Sequence, residues 1–66
     1  MIGRPYTIVT PTPVRIAMKD EDEVDGEVIG PVRLIYPDGS EAALGWLRSS
    51  DALVIARTLR LSLEWE

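Results

Sequence analysis

Residues 36–40 read Tyr-Pro-Asp-Gly-Ser and lie between two apolar runs, which makes them the strongest structural signal in the chain. Proline fixes the backbone angle that the first turn position requires, and aspartate suits the second position. Glycine adopts the left-handed conformation that closes a three-residue β-hairpin with a bulge. The sequence therefore predicts an antiparallel hairpin centred on this turn.

The register of the hairpin follows from its turn, because Tyr36 and Ser40 become neighbours across it. The expected cross-strand pairs are Leu34 with Ala42, Val32 with Leu44, and Gly30 with Trp46. In this register the indole of Trp46 lies over Gly30, as aromatic side chains often do opposite a strand glycine. Pro31 lacks an amide hydrogen, so it predicts a bulge or a sheet edge near the start of the hairpin.

Upstream of the hairpin, two short strands and an acidic loop are expected. Residues 6–10 and 14–18 read as strands, the second because apolar and other residues alternate along it. Residues 19–27 are expected to form a solvated loop.

Downstream of the hairpin, the apolar spacing changes to that of a helix. It predicts a helix over residues 50–58, with Ser49 or Ser50 as its cap and Asp51 in its first turn. Alternation then returns and predicts a last strand that ends at about Trp65.

The predicted order is β-β-β-β-α-β in a single domain over residues 1–66. The expected fold class is α+β: a small antiparallel β-sheet of about five strands, with one short helix before the last strand. The alternative is a small, partly closed SH3-like barrel, which also has a helical turn before its last strand. A chain this short has a small core and often gains stability by self-association, so a homo-oligomer is possible.

Composition argues against several classes of activity. The chain has no histidine and no cysteine, which removes the commonest general base, the commonest metal ligand and thiol catalysis. We therefore expect no enzyme, no catalytic residues and no cofactor. The sequence shows no apolar run of signal-peptide or membrane-spanning length, so a cytoplasmic location without a membrane partner is expected.

Negative charge is concentrated in residues 20–27, which hold six of the eleven acidic residues. A calcium-binding loop would need a bidentate glutamate at its twelfth position, where this chain has Val32. No metal site is therefore expected. The acidic segment can instead steer association with a basic protein surface.

The function expected by elimination is that of a small non-catalytic protein-interaction module, a regulator, inhibitor or subunit that acts by occupying a surface. The predicted partner-binding residues are Asp20, Glu21, Asp22, Glu23, Asp25, Val54 and Trp65. One alternative is a small nucleic-acid-binding domain, which would require Arg33, Arg48, Arg57 and Arg60 to form one positive face. This alternative is disfavoured by the net charge of −4. A structural homo-oligomer is the other alternative.

Overall fold

The computed structural model of this protein describes residues 12–66. In chain order the elements are β1 (Arg15–Met18), β2 (Asp22–Val24), β3 (Glu27–Ile35), β4 (Glu41–Arg48), α1 (Ser49–Leu59) and β5 (Leu63–Trp65). The strand expected over residues 6–10 lies outside the described residues.

The five strands form one mixed, open sheet around β3. On one side β3 pairs antiparallel with β4, and on the other side it pairs antiparallel with β1 and then with β2. Both β4 and β1 run opposite to β3, and α1 carries the chain from β4 to the far edge, where β5 pairs parallel with β1. The α+β class with a helix before the last strand is confirmed. Because the sheet is not closed, the barrel alternative is wrong.

The core lies between α1 and one face of the sheet. Its fully buried members are Ile16, Met18, Val32, Ala52 and Ala56. Alternation along β1 and β3 directs the three sheet residues to this face, and helical spacing brings the two alanines onto them. We call the opposite face of the sheet, which α1 does not cover, the open face.

The turn over residues 36–40 is confirmed. Gly39 has φ +88° and its amide donates to the carbonyl of Tyr36, while the Tyr36 amide donates to the carbonyl of Ser40, both at 2.9 Å. The Asp38 carboxylate accepts hydrogen bonds from the Ser40 amide at 2.9 Å and from its hydroxyl at 2.6 Å. These bonds favour the charged carboxylate and lower the pKa of Asp38.

The register of the hairpin is confirmed near the turn and wrong beyond it. Leu34 lies opposite Ala42 as expected, but the pairing shifts by one residue between Val32 and Arg33. Leu44 is the additional residue of this bulge, and Gly45, with φ +85°, lies opposite Val32. The expected pair of Val32 with Leu44 is therefore wrong.

The same shift overturns the pair of Gly30 with Trp46. Trp46 lies opposite Pro31 on the open face, where 60% of it is exposed, and Gly30 lies opposite Leu47. The physical reason is Gly45, whose left-handed conformation permits an extra residue in β4. Side chains of β4 after this bulge therefore project from the opposite face of the sheet to the one expected.

Residues 19–27 do not form the expected loop. Asp22 and Val24 bound a strand that pairs with the start of β3, and the chain reverses through Asp25 and Gly26. These two residues have φ values of 52° and 79°, which is the sign that a two-residue type I′ turn requires. The Asp-Gly pair is the sequence signal for this turn. The acidic composition around it is compatible with a strand because the carboxylates remain in solvent.

Strands β1 and β2 are two parts of one interrupted strand beside β3. Met18 lies opposite Val32 and Asp22 opposite Ile29, so the intervening segment contains one residue more than β3 does. The Lys19 amide donates to the Pro31 carbonyl at 3.1 Å in this segment. The prediction that Pro31 marks a bulge is confirmed, although Pro31 lies in the central strand and not at an edge.

The helix is confirmed, with bounds one residue wider at each end than expected, and Asp51 lies in its first turn. The predicted serine cap is wrong, because the cap residue is Arg48 and makes no side-chain capping hydrogen bond. The Ser50 amide instead donates to the Glu27 carboxylate at 3.3 Å. The last strand is shorter than predicted. In residues 12–66, the helix is too short and too polar to cross a membrane.

Candidate protein-binding surface

The predicted acidic residues lie on an ordered β-ribbon, which we call the acidic hairpin (residues 20–27). The five predicted residues in it, Asp20, Glu21, Asp22, Glu23 and Asp25, are all exposed. Glu21 is paired with the Lys19 ammonium at 2.9 Å, which raises the pKa of Lys19. The other four carboxylates have no basic partner among residues 12–66.

Pairing with β3 fixes the faces from which the Asp22 and Glu23 carboxylates project. Asp22 lies opposite Ile29 and Glu23 lies opposite Val28, so neighbouring acids project from opposite faces of the ribbon. Val24 ends the strand next to the turn and is 38% exposed. The hairpin thus presents like charges at fixed spacing around a small apolar tip, and their mutual repulsion is strongest at low salt.

Glu27 belongs to the acidic segment in sequence but has a different environment. Its carboxylate accepts the Ser50 amide at the first turn of α1 and lies 3.7 Å from the Arg48 guanidinium. Unpaired amides and the helix dipole at a helix N-terminus favour a negative charge there. Glu27 lies opposite Val24 beside the turn. It therefore connects the turn end of the acidic hairpin to the start of the helix.

The two predicted apolar contacts occupy different places. Trp65 is 51% exposed and lies in edge strand β5 beside Met18, which leads into the acidic hairpin. Val54 is 61% exposed on the outer side of α1, next to Leu53, and α1 does not contact β2. The fold brings Trp65 to the base of the acidic hairpin but leaves Val54 on a separate surface.

Trp46 is an exposed aromatic residue that the predicted site omitted. The sequence signal for it was Gly45, since a glycine inside a strand often marks a bulge. Had the bulge been placed there, alternation would have put Trp46 on the open face.

Ion pairs between strands cover much of the open face. Arg15 donates to both carboxylate oxygens of Glu64, at 2.9 and 2.7 Å. Arg33 is paired with Glu41 and with Glu66. Hydrogen bonds to these glutamates raise the pKa of both arginines, and the bond from Arg15 lowers the pKa of Glu64. Arg33 and Glu41 are diagonal neighbours across the hairpin, because Arg33 lies opposite Ala43 and Glu41 lies opposite Ile35.

The four arginines of the nucleic-acid hypothesis do not share one element. Arg33 lies in β3 on the open face, Arg48 ends β4, Arg57 lies in the last turn of α1 and Arg60 follows that helix. The first two are paired with carboxylates. This arrangement differs from the continuous positive face that the hypothesis requires.

The twelfth position of a calcium-binding loop, where a glutamate would be needed, is occupied by the buried residue Val32. Val32 is 1% exposed and packs in the core beside Met18. Within residues 12–66, no group of three or more acidic side chains is placed to hold a metal ion.

Comparisons with protein-family models, with curated proteins and with solved structures give no match to this chain. Its function has to be inferred from its own residues.

Proposed function

We propose that this chain is a small non-catalytic protein-interaction module, which binds a partner with a basic surface through the acidic hairpin and acts by occupying that surface. The observation that carries the proposal is the set of four carboxylates, Asp20, Asp22, Glu23 and Asp25, that have no basic partner in residues 12–66. The ladder with β3 holds Asp22 and Glu23, Asp25 lies in the turn, and Asp20 lies in the segment that leads into β2.

A preordered hairpin is better suited to binding than a flexible acidic loop. Ordering a flexible segment on association costs conformational entropy, whereas the ladder with β3 has already fixed this backbone. Carboxylates that repel one another in the free protein gain when a basic surface approaches, and they accelerate encounter at low salt. Trp65, at the base of the hairpin, is an exposed aromatic residue of the kind that anchors interfaces.

The distribution of positive charge supports a protein partner over a nucleic acid. Phosphate backbones are bound by clustered lysine and arginine side chains. Here Arg33 and Arg48 are paired with carboxylates, and the four carboxylates of the acidic hairpin would repel phosphate.

The test is to neutralise the hairpin without changing its shape, by Asp20→Asn, Glu21→Gln, Asp22→Asn and Glu23→Gln together. The free energy of unfolding should stay the same or rise slightly, because repulsion within the hairpin is relieved. Association with a partner captured from the native host should slow by roughly an order of magnitude at low salt. The difference should shrink as salt increases and screens the charges.

A charge-matched control distinguishes the effect of the hairpin carboxylates on the association rate from the effect of net charge. The pair Asp22→Asn and Glu23→Gln removes two charges from the hairpin, and the pair Asp51→Asn and Glu64→Gln removes two from elsewhere. Only the first pair should slow association. Equal association rates for parent and quadruple variant at low salt would contradict the proposal. Micromolar binding of an oligonucleotide at physiological salt, lost in Arg57 or Arg60 variants, would favour the nucleic-acid alternative.

A further inference from the structure

The outer edge of β4 is the longest unpaired strand edge in residues 12–66. This strand has eight residues, Glu41–Arg48, and among residues 12–66 it pairs with β3 alone, on its inner side. Unpaired edges of this length offer backbone donors and acceptors to another strand.

Hydrogen bonds of β3 show which residues of β4 direct their backbone groups outward. The carbonyls of Ile29, Pro31 and Ile35 accept bonds from the β1 and β2 side of the sheet. In an antiparallel ladder, the N–H and C=O groups of two opposed residues point either toward each other or both away from each other. Residues of β4 that lie opposite Ile29, Pro31 and Ile35 therefore direct their backbone groups away from β3. By alternation, Arg33 directs its backbone groups to the same side as Pro31 and Ile35. The outward residues of β4 are therefore Glu41, Ala43, Trp46 and Arg48.

The spacing of these four residues is symmetric only because of the bulge. Without an extra residue the outward positions would recur at every second residue, but Leu44 and Gly45 separate Ala43 from Trp46 by three. An antiparallel copy of β4, related by a two-fold axis between Leu44 and Gly45, would place Glu41 opposite Arg48 of the second copy. Ala43 would then lie opposite Trp46 of the second copy. No other two-fold register pairs all four outward residues.

The side chains fit this register as well as the backbone does. Glu41 meets an opposite charge, and the large Trp46 meets the small Ala43, whose size leaves room for the indole. On the other face Leu47 meets Ala42, again a large residue opposite a small one. Such cross-strand pairs are the interactions that stabilise antiparallel sheets.

Charge balance on the open face also favours this contact. Two arginines, Arg15 and Arg33, are there paired with three glutamates, Glu41, Glu64 and Glu66. Arg48 of a second copy would add a third arginine to this group, next to Glu41. Its own intramolecular partner, Glu27, is 3.7 Å away, which is a weak contact.

We propose that β4 is the interface of a homodimer, in which two copies join edge to edge across a two-fold axis between Leu44 and Gly45. The other two edges suit this role less, since β2 and β5 have three residues each and β2 carries the repelling acids. A symmetric, isologous contact of this kind closes after two copies. The acidic hairpin remains available in the dimer because it lies on the opposite side of β3 from β4.

The first test uses sedimentation of the full chain over a concentration series at physiological salt. We expect a monomer–dimer equilibrium with a dissociation constant on the order of micromolar. Ala43→Pro should weaken it by roughly tenfold or more, because it removes an outward amide that the dimer uses and β3 does not. Thermal melts of the variant at low concentration check that the monomer still folds.

The second test uses charge reversal and depends on both ends of the strand. Glu41→Arg alone and Arg48→Glu alone each place like charges together at both ends of the symmetric interface and should give monomers. An equimolar mixture of the two variants restores opposite charges at both ends and should give a heterodimer. A parent protein that stays monomeric at high concentration would overturn the proposal. So would a dimer unaffected by Ala43→Pro, or one abolished instead by Val54→Asp.

Discussion

The carbonyl oxygen of Lys19 lies directly over Gly30, where a Cβ atom would sit only 1.7 Å from it. The Lys19 carbonyl belongs to the bulge between β1 and β2, whose backbone is held by hydrogen bonds from Lys19 and Glu21 to β3. A glycine is thus required at position 30 because the Lys19 carbonyl leaves no space for a side chain, and not because of its backbone angle. We expect Gly30→Ala to lower the free energy of unfolding by about 2 kcal/mol or more, since the backbone cannot move without breaking these bonds.

Gly39 provides the comparison for this prediction, because space around it is open. A Cβ atom there would have no neighbour from residues 12–66 within 4 Å, so among these residues only the φ of +88° opposes a side chain. Gly39→Val should cost about 1 kcal/mol, and Gly39→Asn less, since asparagine tolerates the left-handed region. Denaturant melts measure both. If Gly30→Ala proved milder than Gly39→Val, the close contact with Lys19 would be contradicted.

The parts of the fold that the sequence predicted correctly depend on local chemistry. The Pro-Asp-Gly turn, the helical spacing of Ala52 and Ala56, and the alternation along β1 each involve residues close in sequence. They need no knowledge of the partner strand to be interpreted. The composition of the acidic segment predicts a loop, which is wrong, whereas its Asp25-Gly26 pair is a local signal for the type I′ turn that the structure has.

The parts that could not be predicted depend on pairs of distant residues. The bulge at Gly45 sets which face Trp46 occupies, and a glycine in a strand has several structural explanations. The contact from Glu27 to Ser50 spans 23 residues and replaces the expected serine cap. The exposed carboxylates of the candidate site were predictable from composition, whereas their fixed spacing on a ribbon followed only from the register with β3.

Glu27 should contribute more to stability than other glutamates of the acidic hairpin. It accepts the Ser50 amide and interacts favourably with the helix dipole, whereas Glu23 is exposed among like charges. We expect Glu27→Ala to lower the free energy of unfolding by about 0.5–1 kcal/mol, as loss of a helix cap does. Glu23→Ala is the matched control and should leave stability unchanged or slightly higher. If urea melts showed similar decreases in the free energy of unfolding for both variants, Glu27 would have no specific role in capping α1.

Arg60 offers a route to a more stable protein. It follows α1 in the left-handed conformation, with φ 58° and ψ 40°, and its amide donates to the Arg57 carbonyl at 3.0 Å. The Leu61 amide donates to the Ala56 carbonyl at 2.8 Å, which completes a Schellman motif.

Glycine is the usual residue at this position because it has no Cβ to oppose the left-handed angle. We therefore expect Arg60→Gly to raise the free energy of unfolding by about 0.5–1 kcal/mol. Arg57→Gly is the control: it removes the same charge from within the helix and should destabilise by a similar amount. A loss of stability in Arg60→Gly would show that the Arg60 side chain contributes more than its backbone conformation costs.

Glu64 makes the ion pair between β5 and β1 dependent on pH. Hydrogen bonds from Arg15 lower the pKa of Glu64 below its ordinary value of 4.5. A carboxyl with a lowered pKa in the folded state stabilises the protein above its unfolded pKa and loses that contribution as pH falls through the folded value. The gap in Tm between parent and Glu64→Gln should therefore be present at neutral pH and close as pH falls below about 4.

The exposure of this pair limits the size of the gap and supplies the control. Both side chains are substantially exposed, so solvent and salt screen the interaction, and the difference in Tm should be small and should shrink in high salt. Arg15→Gln should show the same pH dependence as Glu64→Gln. The loss of Tm in the double variant should be no larger than the sum of the losses in the two single variants. The contribution of Asp38, whose pKa is also lowered, is common to all these proteins and cancels in the comparison. A Tm gap that stayed constant from pH 7 down to pH 2.5 would show that the charge of Glu64 does not stabilise the junction of β5 with β1.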